Sequence, residues 1–257
     1  MGTDETCMAW VKDEIGRSVG LPAEIGGIPL DELGATGFGL RHAAEIAAEQ
    51  AGLSLAGARF AVQGFGSVGY HAARFLTEEG AVLVAASDSR GGIHAPDGLD
   101  VEALQALKRE GRSVADHDKG RRIECEELID VDCEIWIPAA RPDAIREDNV
   151  DRLRARLVVP GANIPATAGA LQRLHERGIV AVPDFIANAG GVICAAMEYH
   201  GATRTAAFEA IEERIRVNTA QVLEDARSRD ELPGEAARKL AESRVRRGMA
   251  LRRWSIF

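Results

Sequence analysis

The chain has little of what a metal centre, a disulfide framework or a bilayer requires. Four cysteines, Cys7, Cys125, Cys133 and Cys194, are spread over 257 residues. None pairs as C-x-x-C or stands at ligand spacing from a histidine, which excludes zinc-ribbon and thioredoxin-type motifs. They read as reduced thiols of a cytoplasmic protein. His42, His71, His94, His117, His175 and His200 lack a carboxylate or thiol at metal spacing, so surface or helix-face roles are expected and no metal. No apolar run approaches the roughly 18 residues that cross a bilayer, and Asp4 and Glu5 stand where a secretory leader would be basic. Met1 to Thr6 fits the short acylation pattern, but its two acids oppose membrane contact. Basic charge is also short: 31 Lys and Arg against 40 Asp and Glu leave a net charge of -9, which argues against nucleic acid. The C-terminal run Arg238, Lys239, Arg244, Arg246, Arg247, Arg252 and Arg253 reads as a solvated or inter-subunit helix face. Aromatic residues make up 5% of the chain, and Trp10, Trp136 and Trp254 are expected to pack. Trp10 and Trp254 also suit anchors for a neighbouring lobe or subunit.

Hydrophobic residues, at 46%, suffice for a sizeable core. Short apolar runs at 59–63, 81–87, 134–138, 157–160 and 179–183 alternate with amphipathic stretches at 67–79, 99–110 and 168–177. That alternation predicts an α/β, Rossmann-type doubly wound, mostly parallel sheet with N- and C-terminal helices. Helices are expected at 5–19 and 35–51 before the sheet, and at 192–199, 205–227 and 234–253 after it. Three parts follow: an N-terminal helix and link at 1–34, a nucleotide-binding domain at 35–200, and a C-terminal helical segment at 201–257.

Chemistry concentrates at Gln63-Gly64-Phe65-Gly66-Ser67-Val68-Gly69, where a strand runs through G-x-G-x-x-G into a helix. Gly64 permits the sharp exit from the strand. Gly66 lets the backbone approach a pyrophosphate, and Gly69 lets the helix lie close on the sheet. The anion then meets free N–H groups at the helix start. Transferases with a sulfonium cofactor share such a turn, but the second strand ends in Asp88, an acid placed to accept from ribose hydroxyls. A cap for the turn at Ser89-Arg90-Gly91-Gly92 is the plainer use of Asp88. Asp88 repels a 2'-phosphate whereas Arg90 attracts one, and the balance leans slightly to NAD within NAD(P).

Further motifs occur in a fixed order. Ala35-Thr36-Gly37-Phe38-Gly39 precedes the turn, and Ser87-Asp88-Ser89, Gly91-Gly92-Ile93 and Pro96-Asp97-Gly98-Leu99 follow it. Then come 131–135 running to Pro138-Ala139-Ala140, Gly161-Ala162-Asn163, and Pro183-Asp184 with Asn188-Ala189-Gly190-Gly191. This order resembles the glutamate/leucine/phenylalanine/valine dehydrogenase family over nearly the whole chain. The resemblance implies oxidative deamination of an L-amino acid to a 2-oxo acid and ammonia, with hydride transfer to nicotinamide. It implies that Thr36 and Asn188 hold the carboxamide, that Ala139 and Ala140 form a small-residue wall, and that Asn163 lies near the nicotinamide ribose. Asn163 and Asn188 also suit left-handed turns. Gly190-Gly191 is expected to open a helix, with Gly190, Val192 and Ala195 toward the substrate. The glutamate-specific pattern has a serine at position 195 and often an arginine near 32, where this chain has Ala195 and Glu32. An unpaired buried carboxylate is costly, so an apolar substrate fits better than glutamate.

The family's acid–base lysine sits in a glycine-rich loop, and its partner aspartate lies in a separate N-terminal lobe. Lys12, Lys108, Lys119 and Lys239 have no such frame, so no catalytic residue is expected in this chain. Met1 to Trp10 resembles the segment just after that aspartate. The expectation is a chain that binds dinucleotide, meets amino acid only together with another lobe, and forms a possible homo-oligomer. Met1 is then an internal methionine, a truncation point or the start of a split gene's second half. The alternative is a non-catalytic NAD(P)-binding or regulatory module.

Overall fold

The computed structural model describes residues 4–252; Met1 to Thr3 of the acylation pattern, and Arg253 and Trp254, lie outside the described residues. Helix α1 (Glu5–Ile15) and the single turn α2 (Leu30–Leu33) precede α3 (Ala35–Gln50). The chain continues through β1 (Arg59–Gln63), α4 (Ser67–Glu78), β2 (Val82–Asp88), β3 (Gly91–His94), α5 (Val101–Arg109), β4 (Arg121–Ile123) and β5 (Ile135–Pro138). It ends with β6 (Leu157–Val158), α6 (Ala168–Glu176), β7 (Val180–Ala181), α7 (Asp184–Ala187), α8 (Gly190–Tyr199), α9 (Arg204–Arg229) and α10 (Pro233–Ala250).

Seven strands form one sheet in the order β4-β3-β2-β1-β5-β6-β7. From β2 to β7 all pairings are parallel, while β3 runs antiparallel to both β2 and β4. The expected doubly wound α/β class holds. Strands β3 and β4 are additions to the five apolar runs read from the sequence.

Alternation along each inner strand separates two cores. Phe60, Val62, Ile135, Ile137 and Leu157 face one, under α3, α4, α8 and α9. Ala61, Val84, Trp136 and Val158 face the other, under α6. Trp136 is fully buried, as expected for a packing residue, and the small Ala61 beside it in register leaves room for its ring. Trp10 is 65% exposed, and α1 buries none of its residues. Ile211, Ile215 and Leu223 of α9 join the same cluster as β1 and β5, so the core continues past residue 200. No helix among the described residues is long and apolar enough to cross a membrane, and among them no His, Cys, Asp and Glu side chains gather as a metal site.

Two histidines expected on surfaces or helix faces are core residues, His42 at 1% and His71 at 8% exposure. On α3, Gly34 and Gly37 leave a notch that His71 of α4 fills: a Cβ at Gly37 would lie 2.5 Å from His71 Cβ. His42 meets the Phe38 ring edge-on at 4.6 Å. Burial lowers the pKa of both, helped by Arg41 for His42 and Arg74 for His71.

The segment between α1 and α3 is tied down by one carboxylate. Glu198 on α8 accepts from the backbone N–H of Gly20 at 2.6 Å, Leu21 at 3.1 Å and Ile28 at 3.2 Å. Leu21 and Ile28 are buried beside it. Such charge-assisted bonds are stronger than neutral ones, and they fix the approach to α2 and the first turn of α3. Glu198→Ala is therefore expected to speed hydrogen exchange at Gly20, Leu21 and Ile28 by tenfold or more while leaving β1 and β5 amides unchanged. Equal acceleration throughout would mean global loosening and would remove the tether from the account.

Candidate coenzyme crevice

β1 is flanked in sequence by β2 on one side of the sheet and connects spatially to β5 on the other. The strand order reverses between β1 and β5, and in open α/β sheets the place beyond the carboxyl ends of such strands is the usual ligand position, here the candidate crevice. The turn leaving β1 is held from below, because the amides of Gly64 and Phe65 both donate to the Ser87 carbonyl, at 2.9 and 2.7 Å. Gly64 has a φ of +93°, and a Cβ there would lie 2.7 Å from the Ala140 methyl. At Gly69 a Cβ would meet the Gly64 carbonyl at 2.1 Å. Gly66 differs: it is exposed, and a Cβ there meets nothing within 4 Å. It caps α4 without a side-chain acceptor for the first-turn amides, so those donors and the positive end of the helix face open space. Ser67 is exposed beside Gly66 and its hydroxyl donates to the Asp31 carbonyl at 3.3 Å, bringing α2 to the rim. Phe65 turns inward, its ring 1% exposed, so it shapes the turn and offers the crevice no side chain. Val68 is half-buried and would touch a Cβ at Gly161 at 2.8 Å, close to Ala139 at 3.1 Å.

At the far end Asn188, the C-cap of α7, donates its side-chain amide to the Asn163 carbonyl oxygen at 2.7 Å. The two asparagines that the sequence puts near one ring are thus neighbours. Asp184 fixes the Asn163 loop by accepting from the amides of Ile164 at 2.6 Å and Phe185 at 2.8 Å. Thr36 stands on the first turn of α3, with its hydroxyl 2.9 Å from where a Gly191 Cβ would be. Gly190 does open α8. Its smallness serves the helix contact, since a Cβ there would lie 2.1 Å from the Ala35 carbonyl oxygen, and Gly190 itself is buried. Val192 is 74% exposed, and Ala195 follows half-buried at helical spacing.

Asp88 ends β2 with every lone pair engaged. One carboxylate oxygen accepts from the Arg90 amide at 2.9 Å and the Ser113 hydroxyl at 2.8 Å. The other takes Lys108 Nζ at 2.7 Å and the Val114 amide at 3.1 Å. Asp88 is thus the turn cap that the sequence offered as its plainer use, in a larger network. Ser89 and Arg90 are exposed next to it, and the Arg90 guanidinium donates to the Gly111 carbonyl at 2.9 Å. Burial works against ionisation of Asp88 but is outweighed by Lys108, the Arg90 amide, Ser113 and the Val114 amide, which hold its pKa at about 2. The sequence reading missed Lys108, Ser113 and Asp184. Lys108 had a signal, being one of four lysines and in the last turn of a helix that follows β2. The buried thiols of Cys133 and Cys194 are pushed up, by burial first, to about 12 and about 11, so neither is a nucleophile at neutral pH.

Residues 26–253 match the Glutamate/Leucine/Phenylalanine/Valine dehydrogenase family. The chain belongs to that family. It is 36% identical to the glutamate dehydrogenase of Aeropyrum pernix over 98% of this chain and 65% of that protein. Identity reaches 43% with the glutamate dehydrogenase of Thermotoga maritima, over 77% of this chain and 50% of that one. With the NADP-specific glutamate dehydrogenase of Saccharolobus shibatae it is 39%, over 77% and 49%. Among solved structures, the leucine-bound hetero-hexameric glutamate dehydrogenase of Thermus thermophilus superposes with a TM-score of 0.82 at 28% identity, covering 96% of this chain and 63% of that one. L-tryptophan dehydrogenase of Nostoc punctiforme gives 0.68 at 27%, covering 83% and 60%. This dehydrogenase-family chain therefore spans between half and just under two thirds of the length of the relatives it matches. The family uses NAD or NADP.

The depressed pKa of Asp88 sets a sign for acid stability. A carboxylate whose folded pKa lies below its ordinary value of 3.8 contributes stability that is fully present above about pH 4 and lost as pH falls toward about 2. Solvent reaches Lys108, so the contribution is about 1–2 kcal/mol rather than the full value of the shift. Asp88→Asn is expected to unfold more easily than the parent near neutrality, with the gap closing toward pH 2. Urea unfolding across that range checks it, and a pH-independent gap would contradict it.

Proposed function

We propose that this chain is the coenzyme-binding part of an NAD(P)-dependent amino-acid dehydrogenase, and that its dinucleotide lies along the crevice from Gly66 to Asn188. What carries the reading is the pairing of an open, uncapped helix start behind Gly66 with the Asn163–Asn188 cluster, which the close approach of Val68 to Gly161 brings to the same side of the sheet end. The bound dinucleotide supplies the hydride acceptor. Gly66, Ser67 and Val68 offer backbone donors to the diphosphate. Gly64, Phe65 and Gly69 shape that turn, while Ala139 and Ala140 keep the wall thin. Thr36 and Asn188 orient the carboxamide and thereby choose the face of the ring shown to substrate, with Asn163 set against Asn188 to hold its amide in place. Ser89 and Arg90 border the adenosine ribose. The sequence leaning toward NAD rested on Asp88 repelling a 2'-phosphate against attraction by Arg90, and Asp88 is paired with Lys108 and engaged by three further protein donors.

Val192 and Ala195 line the substrate side of α8 with hydrocarbon, which favours an amino acid with an apolar side chain over glutamate. The general acid–base lysine and aspartate belong to a separate lobe, in keeping with the share of its relatives that this chain spans. Assembly as a homo-oligomer is part of the same proposal.

Gly66→Val tests the crevice. The fold has room for the side chain, so the melting temperature is expected to stay within about 2 °C, while affinity for NADH or NADPH falls at least tenfold by coenzyme fluorescence. Unchanged affinity would place the diphosphate elsewhere. Separately, the purified chain supplied with coenzyme and L-leucine, L-norvaline or L-glutamate is expected to deaminate none at an appreciable rate, because loss of a positioned acid–base pair slows such chemistry by on the order of 10²–10⁴-fold. Brisk reduction of coenzyme by the chain alone would show that the acid–base groups are present within it.

A further inference from the structure

We propose that Lys108 makes this crevice select the 2'-phosphorylated dinucleotide, NADP, over NAD. The inference rests on the dinucleotide reading above and concerns the residue that sets its selectivity. An acid at the end of the second strand discriminates by two means: it accepts from the ribose hydroxyls of NAD, and it repels the phosphate of NADP. Both are disabled here.

A carboxylate accepts at about four lone-pair positions. Those of Asp88 are filled by Arg90 N, Ser113 Oγ, Lys108 Nζ and Val114 N, all within 3.1 Å, and its side chain is only 6% exposed. A ribose diol approaching Asp88 would have to displace a bond already made, so NAD gains nothing there. The repulsion is cancelled as well, because the Lys108 ammonium lies 2.7 Å from the acid. Lys108 remains 27% exposed, and an ammonium has three N–H donors, so donors are left for phosphate oxygens.

The surroundings add further cations, and among the described residues Arg90 and Arg122 have no acidic partner. Arg90 donates to the Gly111 carbonyl and Arg122 to the Arg90 carbonyl. Arg112 donates to the Asp116 carbonyl, with Glu110 at 3.5 Å its one acidic contact. Neutral carbonyl partners orient Arg90 and Arg122 without neutralising them, whereas Arg112 shares its charge with Glu110. On a chain of net charge -9 they form a basic island beside Ser87, whose carbonyl anchors the phosphate turn, where the 2'-position of an adenosine would lie.

The test is paired titration of the full chain with NADPH and NADH by coenzyme fluorescence, for the parent, Lys108→Met and Lys108→Arg, with a thermal melt confirming that each is folded. Expected are tighter binding of NADPH than NADH by the parent, a fall of at least tenfold in that preference for Lys108→Met, and its recovery in large part for Lys108→Arg, which keeps the charge. A parent that prefers NADH, or a preference unmoved in Lys108→Met, overturns the inference and leaves the crevice reading standing. Binding of neither coenzyme to the parent overturns the crevice reading and the inference with it. Should Lys108→Met fail to fold, Lys108→Gln takes its place: a fall of at least tenfold in the preference supports the assignment, and an unmoved preference in a folded Lys108→Gln refutes it.

Discussion

The crevice depends on three helices approaching one another backbone to backbone. α3 meets α4 where Gly37 faces His71, and meets α8 where Gly39 faces Gly190, whose own missing side chain leaves room for the Ala35 carbonyl. Glycines inside a helix cost about 1 kcal/mol each relative to alanine. Here that cost is offset by burial of Leu40, Ala43, Ala44 and Ala47 along the same helix. The contact brings the first turn of α3, the start of α4 and the start of α8 to one place, which is why Thr36, Ser67 and Gly191 border the same opening although 155 positions separate the first from the last. Substituting these glycines would spread the helices and separate groups that never touch one another directly.

Acidic side chains do the complementary task in the irregular segments. A loop lacks the repeating partners of a helix or sheet, yet its backbone N–H groups still need acceptors when buried. Glu198 serves three such amides, Asp184 two, and Asp88 two more besides Lys108 and Ser113. Glu134 accepts from both the backbone and the guanidinium of Arg59, and these contacts hold the Glu134 carboxyl below its ordinary range although burial works the other way. The surplus of carboxylates that argues against a polyanionic partner thus has a second use, as fixed anchors for the segments that surround the crevice.

What the sequence made legible follows from how local the cause is. The strand into Gly64, the helix from Ser67 and the buried alternation of β1 and β5 are written in adjacent residues, and so was the sheet class. Gly91 and Gly92, the first half of β3, were read as part of the turn from Ser89 because glycine is depleted in strands; the strand comes from pairing with β2 and β4, and Gly92 is required since a Cβ there would lie 3.0 Å from Ile123. β4 carries Arg121 and Arg122, charges that suit an exposed edge and disguise a strand. The same holds at the site. The glycine turn is contiguous and was visible, whereas the Asp88–Lys108 pair joins residues 20 positions apart through a helix whose docking is tertiary. His42 and His71 do lie on helix faces, but their burial was not legible for a related reason, since nothing local tells that α3 offers His71 a notch.

Helix α8 joins all of these constraints within ten residues. Its first residue is pressed against Ala35, Val192 and Ala195 lie on its more open side as the proposed substrate wall, and Glu198 near its end holds the segment that leads to α2. A shift of one residue along α8 would rotate each group by about 100°. A shift in one direction would bring the Ala189 methyl against Ala35, where there is no space, and a shift in either direction would take the Glu198 carboxylate from its amides. The helix therefore has one permitted register, and the packing that enforces it is remote from any substrate. Val192, 74% exposed, contributes little to the contacts that hold α8 in place, so a substitution there can alter the surface of the helix without moving Gly190 or Glu198.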